Sequence, residues 1–186
     1  GIIVGNEMQV SWSANRLPAA RLIAAIREVR ARTTVPVTTA DDFNYWNKPE
    51  SDSVAREVDV ITTHLHPLWN GASVDSAVIW VAAHHEEART LHPDRPVIVG
   101  EAGWATAHDQ QGDQGRLMRG AVGEAEQARV VADLAAWTAR TRVPTLLFEA
   151  FDERWKGGDD PTDAEKHWGV FHADRTPKLV MTEDKK

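Results

Sequence analysis

The residues best equipped for chemistry stand in four short clusters, each behind an apolar run. Asn6-Glu7 follows Ile2-Ile3-Val4-Gly5, and His64-Leu65-His66-Pro67 follows Val60-Ile61-Thr62-Thr63. Glu101-Ala102-Gly103-Trp104 follows Val97-Ile98-Val99-Gly100, and Glu149 to Glu153 follows Thr145-Leu146-Leu147-Phe148. If the runs are strands of a parallel sheet, the clusters sit at strand C-terminal ends, where α/β architectures carry their sites. A single glutamate there could equally cap a helix or pair with a surface lysine. Four such clusters together point to a site. Two carboxyls facing one cleft are the equipment for glycoside hydrolysis: one donates a proton to the departing oxygen, and the other attacks the anomeric carbon. Their mutual repulsion helps keep the acid protonated. Asn6 could donate an amide hydrogen bond to a sugar 2-hydroxyl, and Gly5 and Gly100 leave room for close backbone approach. The rival chemistry is a metal. His64 and His66 resemble the His-x-His of barrel metallohydrolases, and imidazole suits zinc. Those sites need further His and Asp at later strand ends, where this chain offers Glu, so no metal and no cofactor are expected.

The elements that must position these clusters are legible as five β-rich runs: Gly1 to Glu7, Val35 to Ala40, Val58 to His64, Pro96 to Glu101 and Val143 to Glu149. Each is short and rich in Val, Ile, Leu or Thr with little polar alternation, the pattern of strands buried on both faces. Three apolar stripes at helical spacing lie between them. The first is Leu22, Ile26 and Val29. The second is Val74, Val78, Val81, Ala88 and Leu91, with Ser73 as N-cap, and the third is Val130, Leu134 and Trp137. Segments 43–53 and 108–123 read as loops, the first followed by a short helix, and Lys185-Lys186 as a frayed tail. Repeated β–loop–α units imply an α/β fold with a parallel sheet and outer helices. The repeat length is that of a (β/α)8 barrel, which typically needs about 250 residues. With 186 residues and five strands, the chain is either an open doubly wound sheet or part of a barrel, and the abrupt apolar start suggests truncation of a single domain.

Composition narrows the partners. A formal charge of −7 disfavours nucleic acid, whose phosphates demand a basic face. The chain has no cysteine, which excludes disulfides and thiolate metal sites. Eight tryptophans against one tyrosine is an unusual ratio. Six of them (Trp12, Trp46, Trp69, Trp104, Trp155 and Trp168) fall in strand-end loops. They read either as stacking platforms for the apolar face of a sugar or as side chains that pack the loops down.

At the strand ends the chain resembles a known family. Val4-Gly5-Asn6-Glu7 is similar to the acid/base motif of glycoside hydrolase family 17, the β-1,3-glucanases and related glucanosyltransferases. Val99-Gly100-Glu101-Ala102-Gly103-Trp104 is similar to its nucleophile motif. Residues 148–156, then Glu165 and Trp168-Gly169-Val170-Phe171, resemble its final-strand signature. The resemblance implies a retaining (β/α)8 barrel of which this chain covers strands four to eight, an incomplete barrel. It makes Glu7 the acid/base, Glu101 the nucleophile and Asn6 the partner of the 2-hydroxyl. Glu149, Lys156 and Glu165 match charged residues around the family's cleft, and Phe151 its sugar-stacking aromatic. Trp69 and Trp104 are added as candidate contacts from the loop tryptophans. His64 and His66 stand where plant members carry Asn and Tyr, which suggests a bacterial-type subfamily. The implied activity is double-displacement hydrolysis of β-1,3-glucan. Glucanosyl transfer, an inert or glucan-binding fragment and a metallohydrolase remain as alternatives. The implied partners are a β-glucan and either a second copy or an absent N-terminal half that covers the open sheet edges. A polysaccharide substrate implies a secreted or periplasmic protein.

Overall fold

The computed structural model describes residues 1–182; the expectation for the Lys185-Lys186 tail lies outside them. The described residues form two compact units, residues 1–65 with 82–100, and residues 66–81 with those from 101 onward. The elements in chain order are β1 (Ile2–Asn6), α1 (Ala19–Arg30), β2 (Val37–Asp42), α2 (Phe43–Trp46), α3 (Asp52–Ala55) and β3 (Ile61–His64). They continue with α4 (Ala77–Leu91), β4 (Val97–Ala102), α5 (Gly112–Leu117), α6 (Glu124–Thr141) and β5 (Thr145–Leu147). The strands follow one another in the order β1-β2-β3-β4-β5. This is the expected succession of parallel strands and helices. No helix among the described residues is long and apolar enough to cross a membrane.

In the first unit β1, β2 and β3 are parallel, with Ile2 opposite Val37 and Asp41 opposite Thr63. The β3–β4 edge is joined by the Ile61 N–H donating to the Pro96 carbonyl at 2.9 Å. Both β2 and β3 are buried along their whole length, as their unalternating sequence requires. Strand β1 departs from that expectation: Ile2 and Ile3 are exposed. Helix α1 lays Leu22 and Ile26 on this sheet, and Trp46, Val54, Ile61 and Val97 complete the core. Segment 43–53 is not the expected loop. Asp42 accepts from the Asn44 amide and starts α2 there, and a 3-10 turn leads into α3. The Trp46 indole N–H donates to the Thr62 carbonyl at 3.0 Å, so a loop tryptophan on paper is a core residue in fact.

The second unit packs α6 against the segments that leave β4 and β5. Leu68, Trp104, Met118, Val130, Ala164 and Trp168 form its core. Gln127 of α6, 1 % exposed, brings its side-chain amide to the carbonyls of Trp104 (2.8 Å), Trp168 (3.2 Å) and Gly169 (3.1 Å). One buried amide thereby ties two strand-end segments to one helix. Strand β5 is shorter than expected, and Leu146 and Leu147 on it are exposed. Segment 108–123 contains α5. Ser73 does form a capping box with Ser76, but it starts a 3-10 turn at Val74–Ser76 that runs on into α4.

Candidate active site

In the first unit the site is built at the ends of β1, β2 and β3. Gly5 has φ +81° and Glu7 has φ +50°, and the β1–β2 register slips between Ile3 and Asn6. The extra residue bends β1 at its end, as β-bulges do beside functional sites. Glu7 N–H donates to the Ala40 carbonyl at 2.9 Å. The bend leaves Asn6 exposed and brings Glu7 Oε1 to 3.3 Å from Nδ1 of His64. His64 is buried and Glu7 half-buried, so the carboxyl meets the ring on one side and solvent on the other. Gly100 makes room for that ring. A Cβ there would lie 2.5 Å from Thr62 Cγ2 and 3.3 Å from His64 Cδ2.

Two further acids stand at the end of β2. Asp42 is committed to starting α2. Asp41, 0 % exposed, accepts from the Gln9 N–H at 2.8 Å and from the Asp42 N–H at 3.0 Å. Burial pushes the Asp41 carboxyl up to about 6, and the charge of Glu7 adds to this, against the two backbone donors and His64. The sequence reading ended this strand at Ala40 and gave Asp41 no role. The rule that flagged the other strand ends, an acid directly after an apolar run, was the available signal.

The second unit carries the other carboxyl. Glu101, at the end of β4 and half-buried, places Oε2 3.1 Å from Nε2 of His66. The His66 ring is wedged edge-on between Phe148 and Trp168, each with a centroid 5.3 Å away. Glu165 lies in the same neighbourhood. Burial pushes its carboxyl up, while His66 and the indoles of Trp168 and Trp69 pull it down. Lys156 Nζ is 2.7 Å from Glu149 Oε2, also pairs with Glu153, and lies 4.8 Å from the Phe148 ring centroid. Burial, with the neighbouring Glu153, holds the Glu149 carboxyl above its ordinary value against the pull of Lys156. Burial also works to lower Lys156, but its two carboxylate partners outweigh it and hold the ammonium above its ordinary value. Glu149 Oε1 is buried without a hydrogen-bond partner among the described residues. Phe151 is exposed beside Phe171, 5.6 Å between centroids.

The sequence-selected residues therefore separate by unit. Asn6, Glu7 and His64 belong to the first, and His66, Trp69, Glu101, Glu149, Phe151, Lys156 and Glu165 to the second. Each histidine of the His-x-His pair faces a carboxylate of its own unit. The loop tryptophans divide as well. Trp46, Trp104 and Trp168 are buried, whereas Trp12 and Trp155 are 59 % and 77 % exposed. Trp104 is a correction to the list of sugar contacts. Its indole donates to the Ala121 carbonyl at 3.0 Å and its faces are covered by the core, which leaves no ring surface for a ligand. Trp155, which was not selected, carries the open ring face beside Lys156, 5.7 Å from Nζ to centroid.

Comparison with known proteins identifies the family and the fold. The chain is 29 % identical over 192 residues to a glucan 1,3-beta-glucosidase of Schizosaccharomyces pombe, covering 97 % of this chain and 56 % of that protein. The crystal structure of a glycoside hydrolase family 17 beta-1,3-glucanosyltransferase from Rhizomucor miehei superposes with a TM-score of 0.77 at 26 % identity, over 97 % of this chain and 62 % of that one. An endo-laminarinase from Formosa Hel1_33_131 shares the fold with a TM-score of 0.84 at 21 % identity, over 97 % of this chain and 56 % of its own. The chain thus spans little more than half the length of each. Residues 1–169 match the family model of the BtgE/BtgC glycoside hydrolase domain, and the chain belongs to that family.

Proposed function

We propose that this chain carries the catalytic carboxyls of a retaining glycoside hydrolase that acts on β-1,3-glucan. Glu7 is the general acid/base and Glu101 the nucleophile. The observation that carries the reading is the matched pairing at strand ends, Glu7 with His64 and Glu101 with His66. In the first step Glu101 attacks the anomeric carbon while Glu7 gives its proton to the departing glycosidic oxygen. A glycosyl ester on Glu101 results. Glu7, now a carboxylate, takes a proton from water as the water oxygen attacks the anomeric carbon and frees Glu101. If a sugar hydroxyl arrives in place of water, the same intermediate yields a transferred glucan. The S. pombe relative is named as a glucosidase and the R. miehei neighbour as a glucanosyltransferase, so both outcomes belong to this chemistry. Retention requires the two carboxyls to lie about 5–5.5 Å apart.

Asn6, exposed at the end of β1, serves the 2-hydroxyl, and Glu149, paired with Lys156, is one of the charged residues around the cleft. Phe151 offers an exposed ring to the sugar's apolar face. A polymer of this kind is met outside the cytoplasm, so the protein is secreted or periplasmic. The test is chemical rescue of a laminari-oligosaccharide bearing an activated leaving group. With Glu101→Ala, azide should restore turnover and give the α-glycosyl azide. With Glu7→Ala, azide should give the β-azide. Exchanged stereochemistry reverses the two roles, and no rescue of either variant removes the reading. A second reading is that this stretch binds glucan without turning it over. Calorimetry showing laminari-oligosaccharide binding without product would support it.

A further inference from the structure

Glu7 reaches His64 from a left-handed backbone conformation, which a side-chain-bearing residue keeps only where its surroundings over-determine it. Two consecutive residues of β2 bracket this turn. On the near side the Ala40 carbonyl accepts from the Glu7 N–H at 2.9 Å. On the far side Asp41 Oδ2 accepts from the Gln9 N–H at 2.8 Å, and the other oxygen is held by the Asp42 N–H. The Gln9 side chain continues the brace, donating to the carbonyls of Met8 and Leu17 at 3.0 Å each.

Asp41 is fully buried, and burying an ionisable carboxyl is costly unless it is paired and hydrogen-bonded. The groups that face it are Glu7 after β1, His64 on β3 and Tyr45 on α2. Two of these three are the acid/base and its histidine partner. A threonine or asparagine could have anchored one loop amide at lower cost. A carboxylate anchors two amides at once and also answers to the charge of Glu7.

We propose that Asp41 is a positioning residue for proton transfer: it clamps the Glu7–Gln9 turn so that the Glu7 carboxyl is presented to His64 and to the departing oxygen. The inference rests on the reading of Glu7 as acid/base. Both oxygens of the ionised carboxyl accept from backbone amides. A protonated carboxyl has one weaker acceptor, so the clamp loosens as Asp41 takes up a proton. Burial shifts that event into the range around pH 6.

The test compares Asp41→Asn with the parent in the protein that carries this chain. Two aryl laminari-oligosaccharides are used, one with a poor leaving group that needs acid assistance and one with a dinitrophenolate that does not. Misplacing a catalytic group by about 1 Å can cost 100-fold. We expect Asp41→Asn to lower kcat on the poor leaving group by about 10- to 100-fold. KM, and the glycosylation rate on the dinitrophenyl substrate, should stay within about twofold. Independently of turnover, the Gln9 amide resonance of the parent should titrate with a midpoint near pH 6, and in Asp41→Asn it should not. An equal loss on both substrates, or none on either, overturns the proposal, as does a Gln9 amide that ignores pH across this range. If Glu7→Gln leaves turnover of the poor substrate intact, the assignment of Glu7 fails. The Gln9 titration then still reports whether the clamp exists.

Discussion

Gly103→Ala is the sharpest test of how the segment that follows Glu101 is built. The backbone at Gly103 is not left-handed, so alanine is conformationally acceptable and would even favour folding by about 0.4–1 kcal/mol through the unfolded chain. Sterics decide otherwise. A Cβ on Gly103 would sit 1.8 Å from the Phe148 carbonyl oxygen, where real contacts are no closer than 3.0 Å. The two backbones must therefore part by more than about 1 Å, and overpacking of this kind costs about 1–3 kcal/mol. The same movement breaks the Phe148 N–H bond to the buried Ala102 carbonyl, now 2.8 Å, and a buried group left unpaired costs about 1–3 kcal/mol more. The net loss is about 3 kcal/mol, which for a chain of this size lowers Tm by about 6–12 °C. Glu149 follows directly on Phe148, so its 2.7 Å pair with Lys156 should be disturbed as well. The assay is thermal unfolding by circular dichroism, with Gly158→Ala as the control. A Cβ at Gly158 meets only an Asp163 oxygen at 3.5 Å, and that variant should stay within about 0.5 kcal/mol of the parent. If Gly103→Ala melts within about 2 °C of the parent, the close approach is not what selects glycine there.

Three further outcomes are expected. The folded state raises Asp41 from 3.8 to about 6, so it holds the proton more tightly than the unfolded chain does. This contribution to stability is full below about pH 4 and is lost as pH rises through about 6, with an amplitude of about 3 kcal/mol. Urea unfolding should therefore show Asp41→Asn gaining on the parent by about that much between pH 4 and pH 7, and an equal difference at both pH values would contradict the burial effect. Gln127→Leu leaves the carbonyls of Trp104, Trp168 and Gly169 without their shared donor. It should cost about 2–4 kcal/mol in chemical denaturation, and a loss below about 0.5 kcal/mol would show that the amide is not a structural pin. The exposed Ile2 and Ile3 of β1 and Leu146 and Leu147 of β5 lie on strands of the kind that recruit other chains. The isolated chain should sediment above its 20.6 kDa mass, and a monodisperse monomer at tens of micromolar would refute this.

The strand-end positions of Glu7 and Glu101 were legible in the sequence because such a carboxyl leaves a local trace: an apolar run, a glycine, then the acid. The alternation of strands and helices was legible for the same reason, since buried parallel strands write unbroken runs of Val, Ile and Thr. Asp41 was not, although it ends a similar run. The sequence reading ended this strand at Ala40 and began the next segment at Phe43, so the two adjacent acids fell between them without a role. Only the pairing of β2 with β1 shows that the first acid is buried and meets the Gln9 amide. Segment 43–53 was misread because a four-residue helix is too short to show a period, and its start rests on a contact from Asp42.

The tryptophans mark the boundary between the two kinds of information. Their abundance follows from the sequence alone, and so does the question of platform or packing, but not its answer. Trp155 and Trp168 stand thirteen positions apart in one irregular segment, yet one ring is 77 % exposed and the other 1 %. Local sequence cannot separate them, because burial is a property of what arrives from elsewhere. Met118, Val130 and Ala164 converge on Trp104 and Trp168, whereas Trp155, beside Lys156, keeps its ring exposed. Chemistry at strand ends is encoded along the chain. Which aromatic faces remain open to a ligand, and which acid is pressed against the Glu7–Gln9 turn, is decided by tertiary packing, since only there do residues distant in sequence exclude water from one another.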